Sequence, residues 1–441
     1  MTKSFAAIGF VYLALTLAYA LAIPLWEAPD EPAHFLYINS LAETGAPPSP
    51  SPPQRGGRYW ESGYVTSGYE WYQPPLYYAL VAPLIAASRS LDLLPRFDAF
   101  PEISPEFPLV VRLFVTQPFR FSEIHLLRIA SALFGLGTVL TIYLLSRRLF
   151  PKEEYLPELA AGFVAFIPQF NFLHAYVTND TLAIFLTTAG IGSLVFVALS
   201  SPESRRRAWM WAGIVTSLAL ATKMTAWFLL PLAGLLALSL LLMTTGKRTR
   251  ILGDIALFGA LALLAPLASW LLWPDLLNRL LHSPQATGFR PEFASLEHFT
   301  KTILPLTHSS FWGRFGWMNL LMDRYTVWAL DAIGLIGLAA SPLILWKERA
   351  RLDTGERLSI FLLLAGFVLV GLLFVFFNLT TVQPQGRYFY PALATIGIFV
   401  ALGWVKMAGR WRKWVVTLVL AAMILVNILV LVTTILPAYA T

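Results

Sequence analysis

The chain has 441 residues, of which 57% are hydrophobic and 13% charged, and its formal net charge is +7. A soluble core cannot absorb so large an apolar fraction, so the composition indicates a membrane protein with several spans. The chain contains no cysteine, which excludes disulfides, thiolate catalysis and cysteine-ligated metals. No segment has the basic stripe of a nucleic-acid-binding protein, and a basic balance in a membrane protein usually reflects Lys and Arg in cytoplasmic loops.

The apolar runs predict an all-α polytopic membrane protein with about eleven transmembrane helices. We interpret the first run as an uncleaved span because it is longer than the core of a usual signal peptide. The predicted spans lie near residues 5–25, 124–146, 157–176, 180–200, 208–222, 224–244, 251–273, 326–346, 358–378, 388–405 and 414–436.

Clusters of Lys and Arg predict the orientation. With the N-terminus inside, all of them face the cytoplasm, as the positive-inside rule requires. A short apolar run at residues 74–87 would invert this arrangement if it crossed, so we interpret it as a re-entrant or interfacial helix. It belongs to a long outer loop of residues 26–122, and residues 274–325 form a second outer loop. The basic clusters lie at residues 147–152, 205–207, 247–250, 347–357 and 410–413.

The chemistry is expected on the outer side. The cytoplasmic loops are short and contain no Gly-rich phosphate-binding loop. All six histidines of the chain map to the outer side, namely His34, His125, His174, His282, His298 and His308.

The segment WEAPDEPAHF, Trp26–Phe35, places three carboxylates, two prolines and a histidine directly after the first span. Asp30 stands before Glu31-Pro32, and Gly45 closes the amphipathic stretch that follows, which is ordinary helix punctuation. Taken alone, Asp30 is most simply a helix cap. The alternative is a general base at the boundary between membrane and water.

Further outer segments combine polar and aromatic residues. Each of them alone has a simple explanation as an aromatic belt, a helix cap or a snorkelling lysine. In chain order, their polar and aromatic residues are Glu70, Gln73 and Tyr77 in YEWYQPPLYYAL, Asn179 and Asp180 in VTND, Lys223 in LALATKMTAW, Arg314 and Trp317 in SSFWGRFGWMN, and Arg387 and Tyr388 in QPQGRYFYPAL.

The motifs PDEPAHF, QPPLYY, FIPQF…VTND, TK, SFWGRFGW and QGRYFYPA follow one another across nearly the whole chain. In this order they resemble the GT-C superfamily of integral membrane glycosyltransferases. The nearest groups are the protein mannosyltransferases and aminoarabinose transferases, together with a sister family of bacterial membrane proteins. The resemblance implies transfer of a sugar, with inversion, from a polyprenyl-phosphate carrier to an acceptor glycan, lipid or protein on the outer face of the cytoplasmic membrane.

The resemblance also implies roles for individual residues. Asp30 would be the catalytic base, Asp180 would complete the site, and Glu31 is the alternative base. Residues 1–273 would form the catalytic transmembrane module, 274–325 an outer loop and 326–441 the C-terminal transmembrane helices. The candidates for substrate binding are His34, Glu70, Gln73, Tyr77, Asn179, Lys223, Arg314, Trp317, Arg387 and Tyr388.

Elementary chemistry supports this assignment independently. Glycosyl transfer needs a carboxylate that takes the acceptor proton, and the departing lipid phosphate needs positive charge where negative charge develops. Lys223, Arg314 and Arg387 are candidates for the second task because Lys and Arg suit phosphate.

A metal requirement is not expected. Metal-dependent members of the superfamily carry Asp-x-Asp or Asp-x-Glu at the second outer loop, whereas this chain has Asn179-Asp180. His34 and His174 keep a bound divalent ion as the alternative, since imidazole is a common metal ligand.

Two other functions remain open at this stage. The first is a lipid or sugar transporter or flippase, but transporters place ionisable groups near mid-membrane, whereas Asp254 and Asp331 lie close to the ends of predicted spans. The second is a non-catalytic GT-C-like scaffold of an envelope-assembly complex, which keeps the motifs without turnover.

Overall fold

A computed structural model describes residues 2–49, 66, 68–107, 111–115, 118–243, 248–281, 295–380 and 383–440. Parts of both predicted outer loops, including His282, lie outside the described residues. The first half of the chain contains the helices α1 (Lys3–Ala22), α2 (Glu31–Thr44), α3 (Leu76–Ser90), α4 (Glu123–Leu149), α5 (Leu156–Ala165), α6 (Pro168–Leu173), α7 (Asp180–Ala198), α8 (Arg205–Leu220) and α9 (Leu229–Met243).

The second half is also helical, apart from a short antiparallel ribbon that pairs Arg314 with Leu321 and Phe315 with Leu320. Its elements are α10 (Arg248–Ala262), α11 (Leu264–Leu272), α12 (Asp275–Leu281), α13 (Leu296–His298), α14 (Leu304–Trp312), β1 (Arg314–Phe315), β2 (Leu320–Leu321), α15 (Arg324–Glu348), α16 (Thr354–Thr380), α17 (Leu393–Ala408), α18 (Arg412–Val430) and α19 (Leu436–Tyr439). Single turns of 3₁₀ or π helix lie at Met224–Phe228, Phe299–Ile303, Gly386–Ala392, Gly409–Trp411 and Leu431–Ile435.

Eight helical stretches among the described residues are long and apolar enough to cross a membrane, and the last of them contains both α17 and α18. The predicted all-α polytopic class is therefore confirmed, whereas the count of about eleven spans is not. Two predicted spans account for part of the difference. Residues 157–176 form the short helices α5 and α6, and residues 208–222 lie mostly in α8, which has 16 residues.

The break between α5 and α6 lies at Pro168, which cannot continue a helix from the preceding turn. The carbonyl groups left free by the break are satisfied by two asparagines: Asn171 Nδ2 donates to Ala165 O at 2.8 Å, and Asn427 Nδ2 donates to Phe166 O at 2.7 Å. Thr16 Oγ1 in turn donates to Asn171 Oδ1 at 2.8 Å. Non-helical backbone is tolerated inside a membrane bundle only where such partners satisfy it.

The C-terminal helices pack into the N-terminal ones, because α17 lies between α5 and α15. Glycines allow this close packing. A Cβ atom on Gly403 would lie 2.0 Å from Gly337 O, and one on Gly397 would lie 2.9 Å from Ala160 O. Small residues at helix crossings are the usual way in which membrane helices approach one another closely.

Two short helices of the first predicted outer loop, α2 and α3, lie next to the site. As predicted, α2 starts directly after Asp30 and ends before Gly45, which has a positive φ of 69°. The helix α3 has only 15 residues and packs on α2 and α4, with the rings of Tyr37 and Tyr78 stacked at 3.8 Å. Its length fits the predicted interfacial segment rather than a span.

The predicted orientation is tested by cysteine labelling, for which the chain is suited because it contains no native cysteine. We expect a membrane-impermeant maleimide to label Glu102→Cys in intact cells, and Arg206→Cys only after permeabilisation, since the positive-inside rule predicts that the basic loops face the cytoplasm. Both positions are exposed. The reverse labelling pattern would contradict the orientation.

Candidate active site

A buried ion pair between Glu31 and Arg128 fixes the turn that leads from α1 into α2. Arg128 Nη2 lies 2.7 Å from Glu31 Oε2, and both side chains are almost completely buried. A charge in such a position must be fully paired and hydrogen-bonded to be tolerated. The guanidinium also donates to backbone carbonyl groups of the turn, those of Ala20 and Ile23 at 2.7 Å and that of Pro24 at 3.0 Å.

The Glu31 carboxylate extends this connection to a second loop. It accepts hydrogen bonds from Trp26 N at 2.9 Å and from Val177 N at 3.1 Å. Val177 lies three residues before α7, which begins at Asp180. The pair therefore joins the start of α2 to the start of α7 and brings Asp30 and Asp180 to the same region.

Asp30 has a left-handed backbone conformation, with φ of 66°. Asp and Asn are among the few non-glycine residues that adopt it readily. Its carboxylate makes no capping hydrogen bond to α2, which the simpler interpretation of Asp30 required. It instead accepts hydrogen bonds from the Tyr69 hydroxyl and from Arg387 Nη2, the latter at 3.0 Å.

Asp180 lies between two cations. Lys223 Nζ is 2.6 Å from its Oδ1, and Arg387 Nη1 is 3.3 Å from its Oδ2. Lys223 also donates to Asn179 Oδ1 at 3.1 Å. Lys223 is therefore an internal partner of the acid and not a lysine that snorkels to the membrane surface.

The position of Arg387 depends on a close contact with α14. Gly386 N donates to Ser310 Oγ at 2.8 Å, and a Cβ atom on Gly386 would lie 2.3 Å from the backbone of Phe311. Only glycine fits there, so the following residue is held at a fixed distance from α14. The Arg387 side chain is 8% exposed and bridges Asp30 and Asp180.

A chain of side-chain hydrogen bonds leads away from this cluster. Asn179 Nδ2 donates to Gln73 Oε1 at 3.2 Å, and Gln73 Nε2 donates to Glu70 Oε2 at 2.7 Å. His34 lies beside it, with Nδ1 2.8 Å from the Tyr78 hydroxyl oxygen and Nε2 3.2 Å from Thr178 Oγ1. Lys223, Asn179, Gln73 and Glu70 thus form one connected network.

The cluster opens into a cavity of about 370 Å³. Its lining has a polar and an apolar part. The polar part includes Asp30, His34, Tyr69, Glu70, Tyr72, Gln73, Lys223, Arg387 and Tyr388. The apolar part includes Trp227, Val370, Leu373, Phe374 and Phe377. A larger cavity of about 800 Å³ lies beside Trp26 and Glu27. Its lining contains no member of the ion-paired cluster, so the smaller cavity is the candidate active site.

The charges set the protonation states of two polar residues. Burial opposes ionisation of Asp30, but the Arg387 charge and the hydrogen bonds from Tyr69 and Arg387 outweigh it, so the pKa of Asp30 lies below its ordinary value. Burial lowers the pKa of His34 to about 3. Asp30 is therefore ionised and His34 neutral at pH 7.

Of the thirteen predicted site residues, seven line the cavity, two are bonded to residues that line it, and four lie elsewhere. The cavity is lined by Asp30, His34, Glu70, Gln73, Lys223, Arg387 and Tyr388. Asp180 does not line it but is ion-paired with Lys223 and Arg387. Asn179 is one hydrogen bond away. The four predicted residues that lie elsewhere are Glu31, Tyr77, Arg314 and Trp317.

Each of these four has another place in the structure. Glu31 does not fit the role of alternative base, because Arg128 and two backbone N–H groups already bond to its carboxylate. Tyr77, a residue of α3, is completely buried, and its ring contacts that of Phe134 on α4. Arg314 Nε donates to Met318 O at 2.7 Å, and Trp317 Nε1 donates to Trp26 O at 3.0 Å, so both hold loops together.

Sequence reasoning missed two residues of the site region. Tyr69, which donates to Asp30, is the first residue of the motif YEWYQPPLYYAL. Its neighbour Glu70 was predicted as a site residue, but Tyr69 was not. Arg128 lies within a predicted span, and a charged residue inside an apolar helix is itself a signal of a buried partner.

The residues around Asp180 do not fit a divalent cation. Two of the groups next to its carboxylate, Lys223 and Arg387, are themselves cations, and Asn179 stands where a second acid would be needed. Both nitrogens of His34 are engaged by neighbouring hydroxyl groups. Among the described residues, no three His, Asp or Glu side chains converge as a metal site.

Comparison with known proteins identifies the fold. The family model of dolichyl-phosphate-mannose-protein mannosyltransferases matches residues 105–273, and no curated protein sequence matches the chain. The crystal structure of ArnT from Cupriavidus metallidurans bound to undecaprenyl phosphate is similar, with a TM-score of 0.52 and 14% identity over 99% of this chain and 73% of ArnT.

A second solved structure is similar to the same extent. The archaeal oligosaccharyltransferase AglB from Archaeoglobus fulgidus, in complex with an inhibitory peptide and a dolichol-phosphate, has a TM-score of 0.53 and 12% identity, over 99% of this chain and 55% of AglB. The chain therefore has the fold of the GT-C membrane glycosyltransferases, which confirms at the level of fold the resemblance that its motifs show.

The buried ion pair is tested by Glu31→Gln. We expect this change to lower the free energy of unfolding by about 3–5 kcal/mol, because it leaves Arg128 as an uncompensated buried charge. Thermal unfolding in detergent measures the loss. The matched control is Glu43→Gln at the other end of α2, where the carboxylate is 57% exposed and little change is expected. Equal stability of the two variants would contradict the role of the pair.

Proposed function

We propose that the chain is an inverting glycosyltransferase that moves a sugar from a polyprenyl-phosphate-linked donor to an acceptor on the outer face of the cytoplasmic membrane. The proposal rests on one observation: Asp30, Arg387 and Lys223 line one cavity, and Asp180 is ion-paired with both cations. Asp30 and Asp180 are bridged by Arg387, and Lys223 completes the second pair. The carboxylates and the cations that glycosyl transfer needs therefore lie next to one another.

The two cations suit the phosphate of the donor. Arg387 and Lys223 are held 3.3 Å and 2.6 Å from the same carboxylate, so their charges are fixed before a ligand arrives. Preorganised cations stabilise a developing negative charge with little reorganisation. The planar fork of Arg suits phosphate oxygens in particular.

The apolar wall suits the lipid part of the donor. It is formed by α16 and the turn at Met224–Phe228, and two outward-facing rings continue it, with Phe376 63% and Trp227 47% exposed. In a membrane protein, exposed aromatic rings of this kind face lipid or its interface. The structures of ArnT with undecaprenyl phosphate and of AglB with a dolichol-phosphate support a donor of this class.

The geometry supports a single displacement. The acceptor hydroxyl gives its proton to Asp30, its oxygen attacks the anomeric carbon, and the bond from that carbon to the phosphate oxygen breaks. The lipid phosphate leaves with the bonding electrons, and Arg387 and Lys223 stabilise its charge. Inversion follows because a single attack from the opposite face needs no protein nucleophile, as in inverting glycoside hydrolysis.

Donor binding also strengthens the base. In the free protein Arg387 donates to Asp30 and helps to keep the pKa of that carboxyl low. A phosphate that shares the guanidinium weakens this contact, so the proton affinity of Asp30 rises when the donor is in place. The acceptor glycan, lipid or protein is then deprotonated only next to a bound donor.

Asp30→Asn tests the proposed base. We expect only a modest loss of stability, because Asn adopts the left-handed conformation as readily, no capping bond is lost, and Arg387 keeps its ion pair with Asp180 when the pair with Asp30 is removed. We expect turnover to fall by roughly 10²–10⁴-fold, the usual contribution of a general base. The measurement is release of undecaprenyl phosphate from a panel of radiolabelled undecaprenyl-phosphate sugars in liposomes, with an extract of envelope glycans, lipids and proteins added as acceptors and thermal unfolding in parallel.

The matched control is Asp323→Asn. Asp323 does cap a helix, since its side chain accepts hydrogen bonds from Tyr325 N and Thr326 N at the start of α15. This variant should keep both stability and turnover, because Asn caps about as well as Asp. Full activity of Asp30→Asn would contradict the assignment of the base. No turnover by the wild-type chain on any donor of the panel would favour a non-catalytic scaffold or a transporter.

A further inference from the structure

Glu70 is a carboxylate that lines the cavity and has no role in the proposed displacement. It is 7% exposed, and its Oε2 accepts a hydrogen bond from Gln73 Nε2 at 2.7 Å. No cation forms an ion pair with it in the described part of the chain, and no described donor bonds to its Oε1. Asp30 and Asp180, by contrast, are both ion-paired.

A buried carboxylate without a cation needs hydrogen-bond donors, because desolvation of its charge is otherwise uncompensated. The one donor present, Gln73, is itself fixed from the other side, since its Oε1 accepts from Asn179 Nδ2 at 3.2 Å. Gln73 can therefore present only its N–H group to Glu70. The second oxygen of Glu70 remains for a ligand in the cavity that Glu70 lines.

We propose that Glu70 binds a hydroxyl group of a sugar ring, other than the hydroxyl that reacts. The inference rests on the proposed function and names a further contact of the same site. A reacting hydroxyl has a single hydrogen, which goes to Asp30, so Glu70 must take a second hydroxyl. That hydroxyl belongs either to the donor sugar or to a sugar acceptor.

The protonation of Glu70 makes the contact dependent on pH. Burial raises the pKa of Glu70 to about 7, the Asp30 charge adds to the effect, and Lys223, the Gln73 hydrogen bond and Arg387 oppose it. The other titratable groups that share its surroundings are His34, Tyr72, Tyr78 and Tyr388. The ionised fraction increases as pH rises through 7, so sugar binding strengthens over that interval and then levels off.

Glu70→Gln is the informative change. The Gln73 N–H group will take the carbonyl oxygen of the new amide, which turns the NH₂ group towards the cavity and replaces an acceptor by a donor. We expect KM for the sugar-bearing substrate to rise about ten- to hundred-fold, the loss typical of one hydrogen bond to a charged group. We also expect the change in KM through pH 7 to disappear.

The experiment measures KM for donor and for acceptor between pH 5.5 and 8.5, using the undecaprenyl-phosphate sugar on which the wild-type chain acts best. A higher KM for the donor assigns the hydroxyl to the donor sugar, and a higher KM for the acceptor assigns it to the acceptor. Glu43→Gln is the control, because that carboxylate is exposed and pairs with Arg89 away from the cavity. Thermal unfolding shows that the variants are folded.

Binding of undecaprenyl phosphate, which carries no sugar, separates the possible failures. It should bind equally to the wild-type chain and to Glu70→Gln. If it binds both and neither KM nor its pH dependence changes, the inference about Glu70 is wrong while the donor site stands. Weaker binding of the lipid phosphate to Glu70→Gln would also overturn it, since Glu70 would then support the site as a whole. No binding to the wild-type chain would overturn the proposed function and this inference with it.

Discussion

The arrangement of the site depends on one buried carboxylate that does no chemistry. Glu31 is completely buried and receives hydrogen bonds from Arg128 and from two backbone N–H groups that belong to different loops. Through Arg128 it also fixes the end of α1. Asp30 on one side and Asp180 on the other therefore have defined positions before any ligand binds. Asp30 and Glu31 are adjacent in the chain, but their surroundings differ. Arg128 and backbone N–H groups enclose Glu31, whereas Asp30 lines the cavity.

Ion pairing also explains how the cavity can hold strong charges next to an apolar wall. Buried charges are tolerated only when paired, and Arg387 and Lys223 are paired with Asp30 and Asp180. In the proposed function a lipid phosphate shares these cations with the two carboxylates, so its binding leaves neither the cations nor the carboxylates isolated. Because the cations are already desolvated, less of the interaction energy is spent on removing water from them.

The helical class could be predicted from hydropathy. The motifs at helix ends also singled out several residues that the structure brings together around one cavity, and their role as a site stays a prediction. Asp30, Asp180, Lys223 and Arg387 each stand at such an end. The partners of Glu31 were not predictable, because Arg128 is 97 positions away in the chain and pairing at that distance is a tertiary property. Residues 157–176 were predicted as one span, and the break before Pro168 was not predicted. Asn427, which compensates for the break, is 261 positions away from Phe166 in the chain, so this pairing is a tertiary property as well.

The central claim is that Arg387 and Lys223 form a binding site for a lipid phosphate next to Asp30. An experimental structure of the chain in nanodiscs with added undecaprenyl phosphate tests it most directly. The account predicts density for the phosphate within hydrogen-bonding distance of both cations, with the lipid chain along the apolar wall that α16 and Trp227 provide. Phosphate density at another position, with the ion pairs of Asp30 and Asp180 unchanged, would contradict the account.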